Sequence, residues 1–230
     1  TFWASHDVGH VFSKGRIGGF GAGVDPARLK LARNVPEADA EIVDFALSEL
    51  RALTSAKRRY FGWVFLPAPH GPYEDWTEGK IAKSEKECYL SELRYMDTEL
   101  GRLLAGLEST GALAHTIVVI AADHGEEFRA NGGERHKSTV FSEGTHVPLV
   151  AWIPGMRGVR HDAPTSLVYL FPWLLSHDQG DMRKKALQRI ESSLVPMMRA
   201  TNDAVVIELI GHARMMSSLV YPQLKLNHNL

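Results

Sequence analysis

The feature that most constrains this chain is the run Thr116 to Ala122, apolar from Ile117 onward, which ends directly in Asp123-His124-Gly125. Such a run without polar alternation reads as a strand buried on both faces, the pattern of a parallel sheet covered by helices. In open α/β sheets ligands bind at the carboxyl ends of the strands. A hard carboxylate oxygen and an imidazole therefore reach the sheet edge together, and the glycine lets the chain turn sharply behind them. Taken alone, the tripeptide suits a divalent metal as well as it suits a simple turn, with Asp123 as its cap and His124 on a backbone carbonyl.

The remaining patterning supplies helices and strands for such a sheet. Thr1 to Ala4 reads as a short strand, followed by a glycine-rich loop, Gly15 to Gly23, that lacks the spacing of a phosphate-binding loop. Pro36 stands at a first helical turn, and Ile42, Val43, Ala46, Leu47, Leu50 and Leu53 recur at helical steps over an acidic opposite face. The cluster Lys57-Arg58-Arg59 is a solvated helix end. Tyr60 to Leu66 is aromatic and β-branched, a buried strand that empties into Pro69-His70-Gly71-Pro72.

From Ser84, the positions Tyr89, Leu93, Met96, Leu100, Leu103 and Leu107 predict a long amphipathic helix that ends before Gly111. Val147 to Ile153 reads as another strand, and Ser166 to Leu175 as a short helix interrupted by Pro172. Ala204 to Ile210, Met215 to Tyr221 and Leu224 to Leu226 predict a small antiparallel β element at the end.

Composition narrows the function classes. With 26 basic against 27 acidic residues in 230, no basic field exists for a nucleic-acid backbone. The longest apolar runs fall far below the ~20 residues that cross a bilayer, so no membrane span is expected in this segment. The single cysteine, Cys88, excludes a disulfide framework or a cysteine-ligated zinc site within the chain, and reads as an ordinary helix residue. The chain opens at Thr1 and closes on what reads like an unfinished strand, and is taken as a fragment.

A longer string is far more specific than the tripeptide. Ala122-Asp123-His124-Gly125-Glu126-Glu127-Phe128, then His136, then Phe141-Ser142-Glu143, then His146-Val147-Pro148-Leu149 resembles the signature of the sulfatase family in the alkaline phosphatase superfamily. Phe65 to Tyr73 resembles that family's strand ending in Pro-His-x-Pro, and Tyr89 to Leu104, with Tyr95-Met96-Asp97 and Gly101-Arg102-Leu103, its following helix. Residues 37 to 226 carry the resemblance. Arg129 and Ala130 depart from a frequent Gly-Glu, and Tyr169 and Trp173 from an aspartate and a threonine.

The resemblance implies an α/β three-layer sandwich, a mostly parallel sheet between helices, with residues 1–198 in the catalytic domain and 199–230 opening a small C-terminal β subdomain. It implies Asp123 and His124 as metal ligands, for calcium first, with manganese, magnesium or zinc as alternatives. His70, and either His136 or Lys137, would bind the oxygens of the transferred group or assist the leaving group. Glu126 or Glu127 is placed to orient His124. Cys88 lacks the surroundings of the modified sulfatase cysteine, so the nucleophile is expected outside this chain. The implied activity is hydrolysis of sulfate esters through a covalent enzyme intermediate, on a small-molecule or glycan sulfate or phosphate ester. The implied location is periplasmic, secreted or membrane-anchored with an extracytoplasmic domain. A membrane-anchored phosphoglycerol or phosphoethanolamine transferase and a noncatalytic sulfatase-like domain are the rival readings. The loop histidines His6 and His10 read as solvated, and His146 as structural.

Overall fold

A computed structural model describes residues 2–7, 29–32, 38–75, 84–130, 132, 140–160, 162, 165–167, 170, 173–174, 205–210, 215–221 and 224–229, the strands at 2–7, 29–32 and 205 onward by their backbone. Contacts divide the chain into two units, Thr1–Val119 with Ala151–Met156, and Ile120–Val150 with Arg157–Leu230.

In the first unit, strands β1 (Phe2–Asp7), β2 (Leu29–Ala32) and β3 (Phe61–Val64) form a parallel sheet in the order β2-β1-β3. Ala4 is in register with Leu29 on one side and Trp63 on the other. Helix α1 (Ala38–Ser55) connects β2 to β3 across β1, the crossover that strands of one parallel sheet require. All six apolar positions predicted for its stripe are buried. Five of them, Val43 to Leu53, pack with Leu103, Leu107 and Ala112 into one core, joined by Tyr60, Val64, Leu66 and Val118, while Ile42 packs with Ala38 against Val64 and Leu66. Each fully buried Val, Ile or Leu side chain contributes about 1.5–3 kcal/mol. The helix ends in a Schellman arrangement: Arg58 N–H donates to Leu53 O and Lys57 N–H to Thr54 O, both at 3.0 Å, with Lys57 at φ 50.

Helix α2 (Glu85–Ser109) begins where the sequence places it. The Ser84 hydroxyl oxygen accepts the Glu87 N–H at 3.2 Å, and its O–H donates to the Glu87 carboxylate at 2.8 Å. Gly106 lets α2 approach α1, since a Cβ there would lie 2.0 Å from Leu47 Cδ2. Gly111, at φ 73, turns the chain out of α2 into a single 3₁₀ turn, Ala112–His115.

Strands β4 (Val118–Ala121) and β5 (Leu149–Trp152) are neighbours in a two-stranded sheet. At the end of the chain β6 (Val205–Ile210), β7 (Met215–Tyr221) and β8 (Leu224–Asn229) form the expected antiparallel element, in the order β6-β7-β8. The chain is thus α/β with a small antiparallel sheet. Among the described residues, no helix is long and apolar enough to cross a membrane.

Burial corrects two expectations. The strand expected to be buried on both faces is only half covered at Val118, Val119 and Ile120 and exposed at Ala121. In β3, Phe61 and Trp63 are exposed, and all four residues of β5 are exposed. The apolar runs mark strands correctly, but β4 has only β5 beside it among the described residues and β5 only β4. His6, read as a loop residue, lies in β1, with its side chain outside the description; His10, the loop Gly15 to Gly23 and most of the interrupted helix at 166–175 lie outside the described residues.

Candidate functional site

β4 delivers Asp123 and His124 to its carboxyl end, after one intervening residue. The next residue explains the path of the chain. Gly125 N–H donates to Gly144 O at 2.8 Å, and a Cβ on Gly125 would sit 2.1 Å from Glu143 O. Only glycine permits this approach to the four-residue helix α3 (Ser142–Thr145), whose last turn is closed by the His146 N–H on Ser142 O at 2.8 Å. Beyond the site, Phe128 and Arg129 both hold positive φ, 49 and 61, and Ala130 N–H donates to Glu127 O at 3.1 Å.

Within the pair, Asp123 Oδ1 accepts the His124 backbone N–H at 3.0 Å and lies 3.7 Å from His124 Nε2. His124 Nδ1 lies 2.9 Å from Gly125 O. A carbonyl oxygen only accepts, so Nδ1 carries the proton of this hydrogen bond and the neutral ring presents its lone pair at Nε2. A carboxylate oxygen and an imidazole lone pair 3.7 Å apart suit one divalent ion, whose ligand distances are ~2.0–2.6 Å. Both side chains are open to solvent, at 75% for Asp123 and 40% for His124. Among the described residues no third His, Cys, Asp or Glu groups with them, so the donor set fits a metal as two of its ligands. Glu126 Oε1 accepts the Glu127 N–H at 3.1 Å, and Glu127 is buried.

His70 belongs to the first unit, on the loop leaving β3. Its N–H donates to Pro67 O at 2.9 Å, closing a turn, and the Gly71–Pro72 peptide is cis. The loop is held from beneath by two carboxyl groups that sequence reading assigned no role. Asp39 Oδ1 accepts the Ala68 N–H at 3.2 Å, and Glu92 Oε1 accepts the Glu74 N–H at 2.6 Å. Both side chains are fully buried. Burial pushes each carboxyl up to about 7 against the pull of its amide hydrogen bond, with Glu99 adding repulsion at Asp39, and Glu74 and Asp39 adding it at Glu92. Glu99 is itself buried and paired with Arg102, which also binds Asp44. Tyr73 packs edge-on to Tyr89 of α2 at 5.4 Å between ring centres.

The signal for these carboxyls is in the helical spacing. Asp39 lies three residues before Ile42, and Glu92 and Glu99 fall between Tyr89, Met96 and Leu103 at three- and four-residue steps, on the apolar stripes rather than opposite them. The structure therefore joins Asp123 to His124 and gives His70 its own supported loop, while His136 and Lys137 lie outside the described residues.

A family model described as sulfatase matches residues 13–179, more than half of the chain. The chain belongs to the sulfatase family. Asp39, His70, Glu92, Asp123, His124, His136 and Lys137 all fall within the matched stretch, and β6 to β8 beyond it. The chain is similar to human iduronate 2-sulfatase, 33% identical over 115 residues covering 50% of this chain and 20% of the relative. It is also similar to choline-sulfatase of Rhizobium meliloti, 28% identical over 149 residues, 60% of this chain and 27% of that one. This sulfatase-family chain thus spans about a quarter or less of the length of these relatives. Among solved structures, a Bacteroides fragilis protein provisionally assigned as a sulfatase matches with a TM-score of 0.57 at 15% identity, covering 84% of this chain and 49% of that one. A Vibrio parahaemolyticus protein of the alkaline phosphatase superfamily matches with a TM-score of 0.53 at 21% identity, over 82% and 46%. These likenesses assign the sulfatase chain an alkaline phosphatase-like fold.

Proposed function

We propose that the protein to which this chain belongs hydrolyses sulfate esters with the help of a divalent metal, calcium first among the candidates and manganese, magnesium or zinc its alternatives. The observation that carries the reading is the Asp123 carboxylate and His124 imidazole, 3.7 Å apart at the end of β4 in a sulfatase-family chain. Asp123 and His124 would hold the ion. When bound, it would neutralise charge that builds on the nonbridging oxygens of the ester group. His70 would hydrogen-bond those oxygens or give a proton to the departing alkoxide, a role suited to imidazole near neutral pH. His136 or Lys137 would share that work. In this reading a nucleophile forms a bond to sulfur, the bond from sulfur to the ester oxygen breaks, and water then releases the covalent enzyme intermediate as sulfate.

The same reading takes the whole protein as a three-layer sandwich, with residues 1–198 in its catalytic domain and 199–230 in a small β subdomain. It places the protein outside the cytoplasm, as a periplasmic, secreted or membrane-anchored enzyme acting on a small-molecule or glycan ester.

The test uses the intact protein and matched aryl sulfate and aryl phosphate esters, before and after chelation. Sulfate turnover that chelation abolishes and a divalent ion restores supports the reading. Turnover of phosphate esters alone would overturn the sulfate-ester assignment, and transfer of phosphoglycerol or phosphoethanolamine groups would replace it with the transferase. No turnover with metal bound would leave a noncatalytic domain.

A further inference from the structure

We propose that Asp39 and Glu92 are positioning residues for His70, their buried carboxyls gripping the Ala68–Glu74 loop by a backbone amide at each end and so fixing where the imidazole stands. The inference deepens the reading above, since it rests on His70 meeting the substrate. The two anchors come from different helices, Asp39 from the first turn of α1 and Glu92 from α2, and they take the loop on opposite sides of His70 in the sequence. At its start the loop adds its own turn, His70 N–H on Pro67 O at 2.9 Å, so hydrogen bonds hold the amides at both ends of the seven-residue segment and that of His70 itself.

The arrangement is costly for a carboxyl whose only duty is to fill the core. Among the described residues, Asp39 Oδ2 and Glu92 Oε2 are buried with no hydrogen-bond partner. The guanidinium of Arg102 is engaged by Glu99 and Asp44 instead. An apolar side chain would fill the same volume without desolvating a carboxyl, but could not accept an amide proton. What the carboxyls contribute is a fixed loop backbone, and a reacting group displaced by ~1 Å can lose 10²-fold in rate.

The experiment compares the intact enzyme with Asp39→Ala, Asp39→Asn, Glu92→Ala, Glu92→Gln and His70→Ala variants. The alanine variants are expected to lose about tenfold or more in kcat with KM within about twofold, and the asparagine and glutamine variants, which keep an acceptor oxygen, to recover most of it. Hydrogen exchange supplies a readout independent of activity: the Ala68 and Glu74 amides of the unaltered protein should be protected, and the 66–75 segment should exchange faster in each alanine variant while β3 does not. Unprotected amides in the unaltered protein overturn the proposal without recourse to any variant, so poor folding of a variant does not shelter it. Alanine variants that are less stable yet turn over like the parent, per folded molecule, overturn it too. If His70→Ala is crippled while these variants are not, the clamp falls and the reading of His70 stands. If His70→Ala turns over normally, that reading falls and takes the clamp with it.

Discussion

Asp123 Oδ1 does two things at once: it accepts the backbone N–H of His124 at 3.0 Å and faces Nε2 of the same residue at 3.7 Å. The first contact fixes the carboxylate relative to the peptide, and the second leaves two donor atoms converging from adjacent residues. Because the Asp123 side chain is 75% exposed, its removal costs little packing. In the intact protein Asp123→Ala should therefore lose the bound divalent ion and at least 10²-fold of activity, with Tm measured after chelation moving by no more than about 2 °C. Metal content by mass spectrometry, read beside the melting curve, decides it; full metal occupancy in the variant would remove Asp123 from the site.

Gly125 tests the architecture behind that pair. An added methyl meets Glu143 O at 2.1 Å, and the obstacle is backbone. Gly125→Ala should cost about 1–3 kcal/mol in urea unfolding, through displacement of α3 from the chain that follows β4. A variant as stable as the parent would show that the approach is not required.

The buried carboxyls make stability depend on pH in an unusual direction. Asp39 and Glu92 rise from ordinary values of 3.8 and 4.5 to about 7 in the folded chain, chiefly through burial. Below pH about 4 both states are protonated and the contribution is fully present; between about 4 and 7 the unfolded chain sheds protons that the folded chain keeps, so stability falls as pH rises. Tm followed from pH ~5 to ~8 should descend, and the descent should flatten in Asp39→Asn and in Glu92→Gln. An unaltered slope in both variants would place these carboxyls in their ordinary range.

Lys57 bears a conformation that glycine adopts without cost. At φ 50, in the position that closes the Schellman turn of α1, its Cβ crowds the backbone. Lys57→Gly should stabilise the chain by about 1 kcal/mol, a rise of roughly 2–4 °C in Tm, and Lys57→Val should destabilise it. Calorimetry on the pair checks the sign.

Local signals were legible wherever one physical cause dominates. Ser84 and Gly111 mark the two ends of α2 because capping and left-handed turns are chemistries of single residues. The stripe from Ile42 to Leu53 fixes the buried face of α1, since nothing competes with its burial. Asp123 and His124 were readable as a pair because they are consecutive. Asp39 and Glu92 were not, although their spacing sets them on the apolar stripes, because the reason for burying them is a loop remote in sequence whose amides need acceptors. The exposed face of β3 escaped the reading for the opposite reason, and β5 is exposed as well: hydrophobicity reports what a strand is made for, whereas exposure depends on what packs against it.

That exposure sets terms for working with this chain by itself. Phe61 and Trp63 in β3, and Leu149, Val150 and Trp152 in β5, remain between 39% and 56% accessible. Wet, β-prone apolar strand faces are what sheets use to recruit further strands, and in a purified sample they recruit copies of themselves. Preparations of the 230-residue chain alone should be colloidally fragile, scattering light at modest concentration. Trp63 and Trp152 would then report on it, their emission moving to the blue as association dries their surroundings.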